Sequence, residues 1–403
     1  MNRVAVTGLA LIALLVGLAV GMFAARATGP ANPTPANSGL VAGIGSTPPS
    51  AASIPSESVE PSVAPTPSPT PTPAPTPTPA PTPILVPAPL TGRLVSPAEA
   101  ARHPIAVMID DLSPARPQSG FSAASVVWQA PAEGGIPRYM LVFQENTPTD
   151  VGPVRSARYY YIAWAAELKA IYAHSGGSPQ ALATLRAKGN GQLVYNADEF
   201  RWGGFFHRIS TRFSPHNLYT SGKNLRGIAK AQGVKDKAFT WPWTFAPDLP
   251  QPLRPTGGRI QVAYRANAIR YDYDRKTNTY LRSVTTEKTQ TDAATGQRVA
   301  PKNVVVMLMS FAPLNDGSHK HRLEAKVVGS GTAWIATNGT TIKGTWKKAS
   351  LTSPTRFFDG NGEPVVLTVG QTFVNVMEIG TKVTLVAGKA PLPHSVPAGL
   401  DPR

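Results

Sequence analysis

GPVRSARYYYIAWAAELKAIYAHSGGSPQALATLRAKG, residues 152–189, is the stretch on which the reading of this chain turns. SARYYYIAWAAEL (156–168) reads as a helix with apolar residues on more than one face, and AIYAH (170–174) as a short buried strand. PQALATLRAKG (179–189) reads as a second helix, opened by proline and closed by glycine. Helix, strand and helix in close succession call for a sheet with helices laid against it. Upstream, PIAVMID (104–110), SVVWQA (125–130) and RYMLVFQ (138–144) are the strands that would build it. Downstream, SGKNLRGIAKAQG (221–233) is a further helix with a serine start and a glycine stop. Together these predict an α/β or α+β domain at residues 93–245.

Farther along, the period changes. WPWTFAPDLPQPLRPTGG (241–258) is proline-laden and predicts a joint at 246–256. Beyond it RIQVAY, AIRYDYDRKTNTYLRSV, NVVVMLMSF, RLEAKVV, TAWIATNGTTIKGTW and PVVLTV read as strands, with turns at Asn338-Gly339 and Asp359-Gly360. The expectation is a small, mostly antiparallel β domain at 257–388, followed by a tail at 389–403.

The opening of the chain is of a different kind. Val4 to Ala25 contains no charged residue and is long enough to cross a hydrocarbon core of about 30 Å. Residues 1–27 therefore read as a signal anchor or a signal peptide, the latter with a small-x-small site at Ala25-Arg26-Ala27. Its length, beyond the usual h-region of about 7–15 residues, favours the uncleaved membrane helix. Either reading exports the remainder, so the expected location is extracytoplasmic, membrane-anchored or secreted. Residues 28–92 include PTPSPTPTPAPTPTPAPTP and predict an extended, disordered proline-rich stalk with no core of its own. The chain has no cysteine, which excludes disulfides, thiol nucleophiles and lipid attachment through cysteine. Only Arg3, Arg26, Glu57 and Glu60 carry charge before residue 93, so the formal +16 belongs entirely to the part expected to fold. A basic exported body suits an anionic cell-wall polymer, a lipid headgroup or another phosphate-bearing ligand. Export and the lack of a recognition module argue against nucleic acid.

GPVRSAR places Arg155 and Arg158 three apart at an expected helix start, where cations oppose the helix dipole. A compensating anion is implied, either a ligand held by a two-arginine fork or an internal carboxylate: Glu133, Asp110 or Asp111. HSGGSP (174–179) supplies His174, Gly176, Gly177 and the N-cap Ser178, in a turn that would let a ligand approach the backbone or simply joins strand to helix. ARPQSG and EGGIPR add Arg116, Gln118, Glu133 and Arg138, and SPHNLY adds His216 and Asn217. All would lie on loops near strand ends, the usual ligand side of an α/β sheet. Asp110 and Asp111 are candidate ligands for a divalent cation, a cofactor implied only if the chain is an enzyme. His319 and His321 would share one strand face, but Lys320 and Arg322 crowd them and a solvated turn is the simpler reading. No familiar nucleophile or zinc-protease signature is present.

IAVMIDD, ARPQSG, VVWQAPAEGGIPRYMLVFQ, GPVRSARYYYIAWA, AIYAHSGGSPQAL and SPHNLYTSGKNL, in this order, resemble the YerB-like bacterial envelope proteins. NVVVMLMSF, GSGTAWIATNGTTIKGTWKKASLTSPTRFFDGNGEP and GQTFVNV are similar to that family's C-terminal domain. The resemblance covers most of residues 100–380 and implies two domains and an envelope location. It supplies no catalytic residue, and lipoprotein status does not carry over to a chain without cysteine. Two expectations result. One is an envelope protein that binds an anion through an arginine-lined cleft; the other is a metal-assisted phosphotransferase or hydrolase acting on phosphate-linked envelope polymers or lipid-linked precursors.

Overall fold

The computed structural model describes residues 83–187, 193–285 and 287–391. The expected membrane helix, most of the stalk, the glycine closing 179–189 and nearly all of the tail lie outside them. Among the described residues no helix is long and apolar enough to cross a membrane.

A mixed sheet of ten strands forms the centre. Its first five strands are β1 (Ile105–Asp110), β2 (Val126–Pro131), β3 (Pro137–Phe143), β4 (Ile171–His174) and β5 (Tyr195–Asp198). Three strands of a second sheet follow: β6 (Arg259–Ala263), β7 (Ala268–Asp274) and β8 (Thr279–Val284). The chain then returns to the large sheet with β9 (Asn303–Met309), β10 (Gly329–Thr337), β11 (Thr340–Lys348), β12 (Arg356–Phe358) and β13 (Thr372–Glu378). β14 (Val383–Val386) completes the second sheet. The large sheet runs β12-β11-β10-β9-β13-β2-β3-β1-β4-β5, and the second, antiparallel throughout, runs β8-β7-β6-β14.

The C-terminal β region is mostly antiparallel within itself, as expected, but it does not stand apart as a separate sheet. Five of its strands belong to the same sheet as the first half, joined where β13 lies parallel to β2, with Thr372 opposite Val126. β13 is also parallel to β9. A run of apolar residues announces a strand but not its partner, and this pairing spans some 245 positions of chain. The joint is likewise packed: Thr244–Ala246 pairs in parallel with Val366–Thr368.

Residues alternate between the two faces of the large sheet, as the twofold period of a strand requires. Ala106, Met108, Trp128, Met140 and Val374 face one core with the helix α1 (Tyr159–Ala166). Ile105, Val107, Ile109, Leu141 and Phe373 face the other, covered by α3 (Gly222–Ala231) and by Ile260, Val262, Ile269 and Tyr271 of the second sheet. α2 (Pro179–Arg186) is capped by Ser178, whose hydroxyl accepts from Ala181 N at 3.3 Å. All residues of α1 from Tyr160 onward are buried, which explains its all-round apolar pattern. Trp164 stacks on Trp128 with ring centroids 4.8 Å apart. Phe311, from the second half of the chain, meets Tyr160 edge-on.

Two boundaries move. The stalk does not extend to residue 92: Val86–Pro87 pairs with Leu94–Val95, and Leu90 and Thr91 are fully buried. α1 also begins at Tyr159, three residues later than expected. The backbone of 154–157 is claimed by neighbours instead: Val154 N donates to Leu218 O (2.7 Å), Arg155 N to Met108 O (2.9 Å) and Ala157 N to Gly176 O (2.9 Å).

Candidate functional site

Because 155–158 is extended up to the Arg158 N-cap (φ −130°, ψ 147°), Arg155 and Arg158 do not share a helix face. They go to different carboxylates. Arg155 Nε lies 3.0 Å from Asp110 Oδ2, and Arg158 pairs with Glu133. The expected two-arginine fork is therefore absent, and both arginines take internal partners. Arg138, directly opposite Asp110 in the β1–β3 register, also reaches Glu133 (3.3 Å) and donates to Ser156 O (2.6 Å). Arg322 approaches the same carboxylate, Nε to Oε1 3.7 Å, and pairs with Asp316. Four guanidinium groups thus share Glu133, Asp110 and Asp316.

The loop holding Glu133 requires glycine. Gly134 and Gly135 have φ of +64° and +75°, and a Cβ on Gly135 would sit 2.5 Å from Arg265 Cβ. Beside this loop a cavity of about 300 Å³ is lined by Gly134, Gly135, Arg265, His321, Arg322 and Glu378.

Electrostatics in this cluster are tense. Burial, and next the charge of Arg138, push Arg158 down to about 10. Burial also lowers Arg155. Burial would raise Glu133, but Arg138 and Arg158 outweigh it and hold the carboxyl below its usual range. The Nε–H groups of Arg158 and Arg322 are buried without a hydrogen-bond acceptor. A buried donor left unpaired costs about 1–3 kcal/mol, more when charged.

Asp110 and Asp111 cannot jointly hold a cation, which corrects the expectation for a metal. Successive residues at the end of β1 point to opposite faces. Asp110 Oδ1 accepts from Leu112 N (3.1 Å), while its Oδ2 faces Arg155 and His216 Nδ1, the latter at 2.6 Å. Asp111, fully buried on the other face, takes Arg116 (2.8 Å), Gln129 (2.7 Å) and Asn267 (3.1 Å). Among the described residues no group of three or more His, Asp or Glu is placed to hold a metal ion.

Arg116 and Gln118 consequently leave the expected cleft. Gln118 donates to Asp110 O (2.9 Å) and accepts from Gln290 (3.3 Å) in the same buried network. Its centre is Arg282, which donates to Tyr271 OH (2.9 Å), Tyr139 OH (3.0 Å) and Gln129 Oε1 (2.7 Å), and to Gln290. Sequence reasoning missed Arg282, although Tyr280, Arg282 and Val284 alternate in one phase of a strand and all three are buried. Arg322 was noted only as crowding a histidine pair; its role depends on a loop whose fold is not periodic.

The HSGGSP turn lies beside GPVRSAR, with Ala157 bridged to Gly177. Its polar groups are internally used. His174 is fully buried between Gly176 O and Asn196 Oδ1, each 2.8 Å away, and burial lowers its pKa. Gly176 N donates to Asp198 Oδ1 (3.1 Å). Asn217 accepts from Arg208 (3.0 Å) at the edge of the Asp110–His216 pair. His319 and His321 stand in a turn with φ of +51° and +48°, not on a strand.

Comparison with known proteins gives a consistent picture. Two family models match, described as the N-terminal and C-terminal domains of a protein of unknown function (DUF3048), over residues 90–235 and 260–374. The chain is 33% identical over 295 residues to "Putative lipoprotein YerB" of Bacillus subtilis (strain 168), a match covering 72% of this chain and 85% of that protein. The crystal structure of the YerB protein from Bacillus subtilis is similar with a TM-score of 0.65 and 28% identity, covering 74% of this chain and 99% of that one.

Proposed function

The chain belongs to the DUF3048 family of proteins of unknown function, and from that premise we propose an extracytoplasmic envelope protein that binds an anionic, phosphate-bearing group at the Glu133 arginine cluster. Support for the location comes from the uncharged stretch Val4–Ala25, the proline-rich stalk and the lipoprotein name of the Bacillus relative. Without cysteine, this chain would be held by its uncharged N-terminal stretch rather than by lipid. One observation carries the ligand: four arginines converge on three carboxylates, one of the four, Arg322, lines a cavity, and the buried Nε–H groups of Arg155, Arg158 and Arg322 have no hydrogen-bond acceptor. A phosphate oxygen would supply acceptor and charge together.

A second reading, group transfer on the bound anion, has one observation in its favour. His216 is oriented by Asp110 through Nδ1, the arrangement of a general base, and its ring is partly exposed. Under that reading a divalent cation would come with the substrate phosphate.

The test is binding of the full chain to isolated cell envelopes across a salt series. Wild type is expected to bind saturably, and Arg138→Gln/Arg158→Gln to lose most of that binding while keeping its far-UV spectrum. Equal binding by both proteins, abolished by the same salt, would reduce the interaction to diffuse basic charge and overturn the proposal.

A further inference from the structure

We propose that the hairpin tip between His207 and Tyr219, with the neighbouring turn Glu199–Trp202, docks the folded body on an anionic lipid bilayer. Among the described large apolar side chains Phe213 is the most exposed, at 92%, and Phe200 the next, at 80%. Single exposed phenylalanines are ordinary. Two of them on adjoining, fastened segments beside a basic helix face form a surface.

The frame holds Phe213 outward. His207–Arg208 pairs with Leu218–Tyr219, and Ile209 N donates to Asn217 O at 2.9 Å. Arg212 turns inward, donating to Ala115 O, to Pro117 O (2.6 Å) and to Tyr219 OH (2.9 Å). The tip is thus fastened to the body through the residue next to the exposed ring. Arg208 joins the hairpin to the turn that carries Phe200, donating to Asn217 Oδ1 (3.0 Å) and to Glu199 Oε1 (3.4 Å). Phe205, between the two in the chain, packs on α3, where a Cβ at Gly227 would lie 2.7 Å from its Cε1. Lys223, Gly227 and Lys230 share one face of α3 by helical spacing, so the two exposed lysines flank this contact.

Charge selects the occupant. Residues 199–237 contain eight Lys or Arg and two Asp or Glu, a net +6 of the chain's +16 in a short segment. Both carboxylates are already paired, Glu199 with Arg208 and Asp236 with Arg226. Arg201, Lys223, Lys230 and Lys235 are exposed and present their charge to solvent. A bilayer with anionic headgroups satisfies both parts at once. The cations gain from its surface potential, and the rings enter the headgroup–acyl boundary, about 5–10 Å deep. A protein partner fits less well, because lysine is depleted where proteins meet.

The absence of native cysteine makes the test direct. In the full chain Thr211→Cys, at the hairpin tip, carries an environment-sensitive dye. Thr345→Cys, exposed on β11 toward the opposite end of the ten-stranded sheet, carries it as the control. Each protein is reconstituted into phosphatidylcholine–phosphatidylglycerol vesicles or into pure phosphatidylcholine vesicles. A lipid with a nitroxide in its upper acyl chain quenches a dye that reaches the boundary. Because the uncharged stretch Val4–Ala25 is present in every sample, the local readout at 211 separates docking of the body from attachment of the chain. The dye at 211 is expected to be quenched several times more strongly than the dye at 345, and only in the anionic vesicles. Phe200→Ser/Phe213→Ser, which alters only exposed rings, is expected to lower the inserted population on the order of tenfold or more. Lys223→Gln/Lys230→Gln is expected to lower it severalfold. Equal quenching at 211 and 345, equal quenching in the two kinds of vesicle, or quenching that survives loss of both phenylalanines would each overturn the proposal.

Discussion

Asp110 and Asp111 are neighbours in the chain and belong to opposite kinds of ionic cluster. Asp111 enters a closed one. Arg116, Gln129 and Asn267 surround it, and Arg282 bonds to Gln129 and to two tyrosines, one of them on β7. None of these side chains holds a buried polar atom without a partner. Asp110 borders an open cluster, where cations outnumber carboxylates, the buried Nε–H groups of Arg155, Arg158 and Arg322 lack a hydrogen-bond acceptor, and a cavity lined by Arg322 adjoins. A buried network whose members satisfy one another fastens structure; here it fastens the second sheet to the first, across the two family halves. A cluster with surplus charge and unmet donors is poised for a ligand.

The contrast can be broken most sharply at Arg282. Arg282→Met leaves two buried phenol oxygens and the amide oxygens of Gln129 and Gln290 without their donor, and is expected to cost about 3–5 kcal/mol, read from the urea midpoint. A loss under about 1 kcal/mol would mean that the closed network is not the fastening described. Arg158→Met, in the open cluster, removes a desolvated cation while Glu133 keeps Arg138 and Arg322. Because Glu133 stays paired, no buried charge is left uncompensated, and the expected effect on stability is within about 1 kcal/mol in either direction. A collapse comparable to that of Arg282→Met would erase the distinction between the two clusters.

The smallest effect is a slope. Glu133 is held below its ordinary value in the fold, so its contribution is complete above pH 4.5 and is lost as pH falls through the lower, folded value. Stability measured from about pH 6 to about pH 3, on either side of the ordinary carboxylate value, is therefore expected to fall less steeply in Glu133→Gln than in wild type. Identical slopes would place the acid sensitivity elsewhere.

How far these clusters could be read from sequence differs in an instructive way. The strands of both halves are visible as apolar runs, and the nearness of GPVRSAR and HSGGSP follows from both being loops after strands. The internal partners Glu133 and Asp110 could be named as alternatives because few carboxylates lie nearby in the chain. What remained hidden depends on long-range geometry. The parallel docking of β13 on β2 has no local signature, and proline composition masked the buried Leu90 and Thr91. The backbone of 154–157 gives up helix for cross-chain hydrogen bonds that no propensity encodes. Arg116 leaves the expected cleft because its partner Asp111 follows Asp110 at the end of β1 and so faces the other side of the sheet.

Calorimetric titration of the full chain with inorganic pyrophosphate, beside Arg138→Gln/Arg158→Gln, tests the central claim most directly. The account predicts saturable binding by wild type at about one site per chain, accompanied by thermal stabilisation of about 2.7 kcal/mol at a ligand concentration of 100 Kd, and neither effect in the variant. Heats that are the same in both proteins, or no binding to wild type, would contradict it and leave the Glu133 arginines as internal architecture.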